Sequence, residues 1–277
     1  MGRHVDRIVL LALATVLVAA GCRREADVPG GAQVAAGPPE AAAVAPVVLE
    51  DVMEADSRYI IGISYPPGMD RYPALAAELK RYADAARADL MEAVEARDPG
   101  AEGEGAHPYD LSLPFDVVVD TPEVVAVQAT GTIFTGGAHG APLVARFVWL
   151  PARGELLRAE ALVPDPAGWQ AISAFVRESL HAALSQRLDA DELPPGDRAR
   201  LMQSGSRMID EGTAPEPENF AHFEPVPAAG GRLRALRFVF PPYQVGPYSD
   251  GVQTVEVPAA VLLPHVAPEY RDLFSAG

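Results

Sequence analysis

Apolar positions recur along this chain in two rhythms, one of strands and one of helices. Residues 58–65, RYIIGISY, predict a strand that Pro66-Pro67-Gly68 stops. A helix then starts near Pro73, a residue suited to a first turn, and Leu75, Leu79, Tyr82, Ala86, Leu90 and Val94 share one of its faces. Residues 97–110 carry Pro99, Gly100, Gly103, Gly105 and Pro108 and read as an exposed loop. Residues 112–119, 124–134 and 143–149 are rich in β-branched and aromatic side chains and predict a three-strand antiparallel meander. After a turn at 151–154, a second amphipathic helix over about 166–188 would bury Trp169, Ile172, Val176, Leu180, Ala183 and Leu184. A shorter helix is expected over 197–210, strands over 219–226, 233–240 and 252–257, and short helical turns over 259–263 and 269–274. Strands with inserted helices and antiparallel connections predict an α+β fold. Two subdomains follow, 47–150 and 151–277, each with one long helix.

Two stretches break the rhythm. Residues 135–140, TGGAHG, place three glycines in six positions between two strands, a corner that reverses tightly because glycine accepts positive φ. His139 sits inside it. One reading has its ring nitrogens bonding the corner's own backbone; the other presents it to a ligand, able to gain charge at mildly acidic pH. The second stretch is 240–251, FPPYQVGPYSDG, where Tyr243 and Tyr248 flank Gly246-Pro247. Tyrosines with an apolar body and a polar tip suit a recognition surface, and equally a core beneath a proline-rich loop.

Charge and the N-terminus narrow the setting. The 277 residues include 38 acidic and 22 basic side chains, a net charge of −16. This excludes non-specific nucleic-acid binding, which needs cations facing phosphates, and favours encounter with a basic partner. Arg3 and Arg7 precede an apolar run over 8–20, the length of a signal-peptide core and too short for a mature span. It closes on Val18-Ala19-Ala20-Gly21-Cys22, which resembles the lipobox of bacterial lipoproteins, with Ala19 where leucine is usual. Residues 1–22 are thus expected to be a lipoprotein signal, with Cys22 the lipidated first residue of an exported protein. Arg23 in place of aspartate suggests an outer-membrane anchor facing the periplasm. Residues 23–46, dominated by alanine, proline and glycine, predict a disordered tether. Cys22 is the one cysteine, so no intramolecular disulfide can form.

Motifs for chemistry are few. His107, His139, His181, His222 and His265 are scattered and no HExxH helix exists, so no metal site is expected. Ser204-Gly205-Ser206 lacks the flanking glycines of a nucleophile elbow, and Gly136-Gly137 leads into a strand where a phosphate loop would open a helix. No cofactor and no catalytic residue is assigned. The one enzymatic alternative is a pair of carboxylates, Asp116 and Asp120, four apart on a predicted strand and so expected on one face. Two solvated aspartates read the same way.

The corner Thr135-Gly136-Gly137-Ala138-His139 followed by a strand, a turn and a long helix forms one motif. Asn219-Phe220, residues 236–240, the run 243–251 and Val255-Glu256-Val257-Pro258 form another. Together they resemble the extracytoplasmic domain shared by the lysozyme-sensing anti-sigma-V factor and a peptidoglycan deacetylase. The resemblance spans roughly residues 57–264. It implies a non-catalytic module of the cell envelope that recognises a basic protein such as lysozyme, or a peptidoglycan component. Neither the sigma-binding segment nor the zinc-dependent deacetylase domain has an expected counterpart here. The alternatives are an envelope glycan hydrolase or a structural envelope lipoprotein. The candidate binding residues are Gly136, Gly137, His139, Tyr243, Tyr248 and Asp250.

Overall fold

The computed structural model describes residues 47–97 and 107–275, all within one compact unit. The proposed signal sequence, Cys22 and the tether lie outside the described residues, as does 98–106 of the expected loop. Among the described residues no helix is long and apolar enough to cross a membrane.

Six strands make the larger sheet in sequence order: β1 (Val52–Ala55), β2 (Tyr59–Ser64), β3 (Tyr109–Asp120), β4 (Val125–Phe134), β5 (Ala141–Leu150) and β6 (Glu155–Leu156). A second sheet holds β7 (Phe223–Pro227), β8 (Leu233–Phe240) and β9 (Gln253–Pro258). Helix α1 (Pro73–Ala96) lies between β2 and β3 in the chain. The short α2 (Ala159–Leu162), then α3 (Pro166–Ala190) and α4 (Pro195–Gly212), separate the sheets, and α5 (Ala259–Leu262) follows β9. The fold is α+β, its sheets antiparallel but for one strand pair, with two long helices among the few it has.

The differences from the sequence pattern have local causes. β2 and β3 pair in parallel, because the chain returns to the same end of the sheet through α1, the crossover such a pair requires. The strand expected at 219–226 begins only at Phe223, since Pro217–Phe220 first makes a 3-10 turn that buries Phe220. β1 and β6, four and two residues long, are too short to show a period.

One difference bears on chemistry. The β3–β4 register slips between Val117 and Val119, so Asp116 lies opposite Gln128 while Asp120 lies opposite Val125. Those partners are an odd number of residues apart on β4, so the two aspartates point to opposite faces of the sheet. Asp120 instead accepts a 2.8 Å hydrogen bond from Arg71. The expectation of paired carboxylates on one face is therefore corrected: the bulge separates them.

The core explains the two most apolar runs. Residues 124–127, VVAV, and 147–150, FVWL, show no alternation because β4 and β5 are covered on both sides. Val125, Val127, Phe147 and Trp149 pack with Leu75, Leu79 and Leu90 of α1. Ala126, Val148 and Leu150 pack with Trp169, Ile172 and Val176 of α3 and with Phe238 and Phe240 of β8.

A buried ion pair ties the sheets together. Arg146 of β5 donates to Glu224 of β7 at 2.6 Å, with the side chains 6% and 10% exposed. Arg146 also donates to the Ala129 and Ala145 carbonyls, and Glu224 takes a second bond from Arg237, which reaches Glu256 at 2.6 Å. Glu224→Ala should cost about 3–5 kcal/mol in chemical denaturation, because it strands the arginine charge away from water. A double change to apolar residues of similar volume, Arg146→Met with Glu224→Leu, should restore most of that.

His222 adds a pH dependence. Burial, and then the nearby Arg146 charge, hold its pKa below the ordinary value of 6.5. The folded state keeps it neutral while the unfolded chain takes up a proton, so stability is full above pH 6.5 and declines as the pH falls below it. His222→Gln should flatten the profile of denaturation midpoint between about pH 7 and pH 5.

Candidate functional site

The β4–β5 turn is the glycine corner. Gly136 and Gly137 have φ of +101° and +97°, a conformation L side chains rarely adopt, which is why the turn is written with glycine. His139 stands exposed at its end. Its Nδ1 lies 3.1 Å from the Gly140 carbonyl oxygen, which can only accept, so Nδ1 carries the proton. In the neutral ring Nε2 is then an acceptor, and it lies 3.1 Å from the Tyr243 hydroxyl, which donates to it.

That contact joins residues 104 positions apart. The His139 ring also stacks on Tyr248, with centroids 4.0 Å apart and planes at 14°. Tyr243 closes the cluster, 6.3 Å from His139 and 5.7 Å from Tyr248. The two stretches that interrupt the sequence rhythm thus meet in one place. The backbone-bonding reading of His139 is seen in the Nδ1 contact to Gly140, and the residue is exposed.

The β8–β9 connection is held from beneath. Gln244 donates through Nε2 to the Gly212 and Asn219 carbonyls, at 2.9 and 2.8 Å, fastening the loop to the end of α4. A Cβ at Gly212 would collide with the Gln244 carbonyl oxygen, so glycine permits this approach. Val245 is buried, and Asp250 accepts from Arg187 of α3 at 2.6 Å. Asp250 therefore anchors the loop and does not join the aromatic cluster.

Tyr243 itself is strained. Its φ is +74°, in a region that disfavours a side chain, and its amide donates to the Gly246 carbonyl at 2.9 Å. The residue is nevertheless 53% exposed. A bulky residue held in that conformation while its ring stays in water gains little from packing. The arrangement instead holds the ring at the surface.

With both imidazole nitrogens bonded within the cluster, what it offers outward is aromatic surface, suited to stacking against a planar cation or an apolar sugar face. Among the described residues no group of three or more His, Cys, Asp or Glu could hold a metal ion. The sequence pointed to Gly136, Gly137, His139, Tyr243, Tyr248 and Asp250 as binding residues; the three aromatic rings come together, the glycines shape the turn beneath His139, and Asp250 is held by Arg187. The sequence did not single out Gln244 or Arg187, whose roles depend on which helix the loop lies against.

Comparison with known proteins places a family on the second motif. Residues 232–260, which span β8, the connection and β9, match a family described as "Protein of unknown function (DUF3298)". No curated protein matches the chain. A solved DUF3298 family protein from Pseudomonas aeruginosa PAO1 is similar at 18% identity, over 82% of this chain and 96% of that one, with a TM-score of 0.49. Another from Bacteroides fragilis NCTC 9343 is similar at 15% identity, over 80% and 94%, with a TM-score of 0.42.

Replacing Tyr243 with glycine separates strain from packing. Relief of the left-handed conformation, worth about 1–2 kcal/mol, offsets the lost ring contacts, so Tyr243→Gly should denature within about 1 kcal/mol of the unchanged protein. A much larger loss would mean that the ring is a core residue.

Proposed function

We propose that the chain is a non-catalytic recognition module of the bacterial cell envelope, anchored through Cys22 and binding a basic protein surface at the His139–Tyr243–Tyr248 cluster. The observation that carries this is the strained, exposed Tyr243, bonded to His139 and lying beside a stacked Tyr248. Lysine and arginine side chains dock over aromatic rings through the ring quadrupole, a contact worth about 0.5–1 kcal/mol when exposed and about 2 when desolvated. The net charge of −16 draws a cationic partner towards the module. The lipobox-like run before Cys22 supports export and anchoring, and the alanine- and proline-rich residues 23–46 support a tether between lipid and module. The sequence resemblance to the extracytoplasmic domain of the lysozyme-sensing anti-sigma-V factor makes a c-type lysozyme the first partner to try.

Titrating the protein with a c-type lysozyme across a salt series tests the reading. Saturable binding that persists at about 0.15 M salt, where charges beyond roughly 8 Å are screened, is the expected result. Tyr248→Ala and Tyr243→Gly should each weaken it about tenfold or more, as central aromatic contacts do. Binding that disappears by that salt concentration, or is indifferent to both changes, would reject the aromatic site as the interface.

A further inference from the structure

The other side of the same loop bounds a second surface. α3 and α4 run antiparallel as a hairpin, closed by Asp189 with Arg198 at 2.5 Å at one end and by His181 with Asp210 at 3.1 Å towards the other. Between them and the turn at 247–250 lies a groove of about 460 Å³. Leu201 and Met208 give it apolar sides over a floor of the buried Leu184 and Leu188, with Pro247 as one wall. A smaller cavity of about 150 Å³ shares Leu184, Gly205 and Pro247 with it and is also lined by Ile209 and Val245.

The sequence of α4 is written for two neighbours. Leu201, Met202, Gly205, Met208 and Ile209 recur at helical spacing on one stripe, yet Ile209 is the only one of them fully buried. Gly205 has no side chain because a Cβ there would press on Leu184 at 2.8 Å, so α4 sits close to α3. Leu201 is left 49% exposed. Half of an apolar stripe is thus spent on α3 and half faces the groove.

Charge decides what fits. Arg187 at the rim is already neutralised by Asp250 at 2.6 Å. Asp191 on the rim and Glu192 beside it are exposed, and among the described residues neither is in an ion pair. An occupant with an anionic head group would meet uncompensated carboxylates. One with lysines or arginines beside an apolar face would neutralise them.

We propose that this groove docks a cationic amphipathic helix of a partner protein, its apolar side chains on Leu184, Leu188, Leu201 and Met208 and its basic residues against Asp191 and Glu192. A helix laid between two others is a standard mode of recognition, read by anchors at three- and four-residue steps. The adaptable thioether of Met208 suits such a surface. Its lining includes none of the three aromatic residues, and the proposal stands whether or not their cluster binds a basic protein.

The test is fluorescence anisotropy with a labelled helical peptide of leucine on one face and lysine on the other, against the full chain at physiological salt. Saturable binding is expected, weakened about tenfold by Leu201→Asp and severalfold by Asp191→Lys. Asp191 is exposed and its change to lysine removes no packing, so a loss of binding there is not a fold defect. A peptide with glutamate in place of lysine should bind at least about tenfold more weakly. Equal binding by the Leu201→Asp protein, or no saturable binding of the lysine peptide, overturns the proposal. So does preference for vesicles of anionic phospholipid over the lysine peptide.

Discussion

The molecule depends on burying one hairpin, β4–β5, on both of its faces. Val125, Val127 and Trp149 belong to the core under α1, whereas Ala126, Val148 and Leu150 belong to the core that α3 and β8 share. Each strand therefore has no solvent face to spare over these residues, and its register is fixed twice: a one-residue slip would exchange the two apolar sets between cores of different shape. The hairpin's tip, the glycine corner with His139, projects beyond this doubly covered base into solvent.

The opposite half of the site is fixed by different means. The β8–β9 connection has no regular structure over most of its length, and its shape comes from three anchors: Gln244 on the end of α4, Val245 in the core and Asp250 on Arg187 of α3. These hold Tyr243 at positive φ, a conformation a free loop would relax. The Arg146–Glu224 pair joins the sheets on which the two halves stand. Its desolvation makes it poor as a source of stability, but removing either partner would leave a buried charge unpaired.

Much of this was legible in the sequence. The helices over 73–96 and 166–190 appeared in their periodic faces, and the β3–β4–β5 meander in its β-branched runs and turn residues. His139, Tyr243 and Tyr248 stood out because glycines and prolines broke the pattern around them. What could not be read were relations between distant residues. The bulge that turns Asp116 and Asp120 to opposite faces depends on pairing with β4, and nothing local in FDVVVD announces it. The parallel β2–β3 pair depends on where α1 delivers the chain. Gln244 looked like any polar loop residue until the end of α4 came to lie beneath it.

The central claim is that the glycine corner and the late tyrosine loop form one site. A double-mutant cycle on stability tests it most directly, with His139→Ala, Tyr248→Ala and the pair measured by chemical denaturation. A stacked contact predicts a coupling of about 0.5–1.5 kcal/mol between residues more than a hundred positions apart. Additive losses, with no coupling beyond about 0.3 kcal/mol, would contradict the joined site.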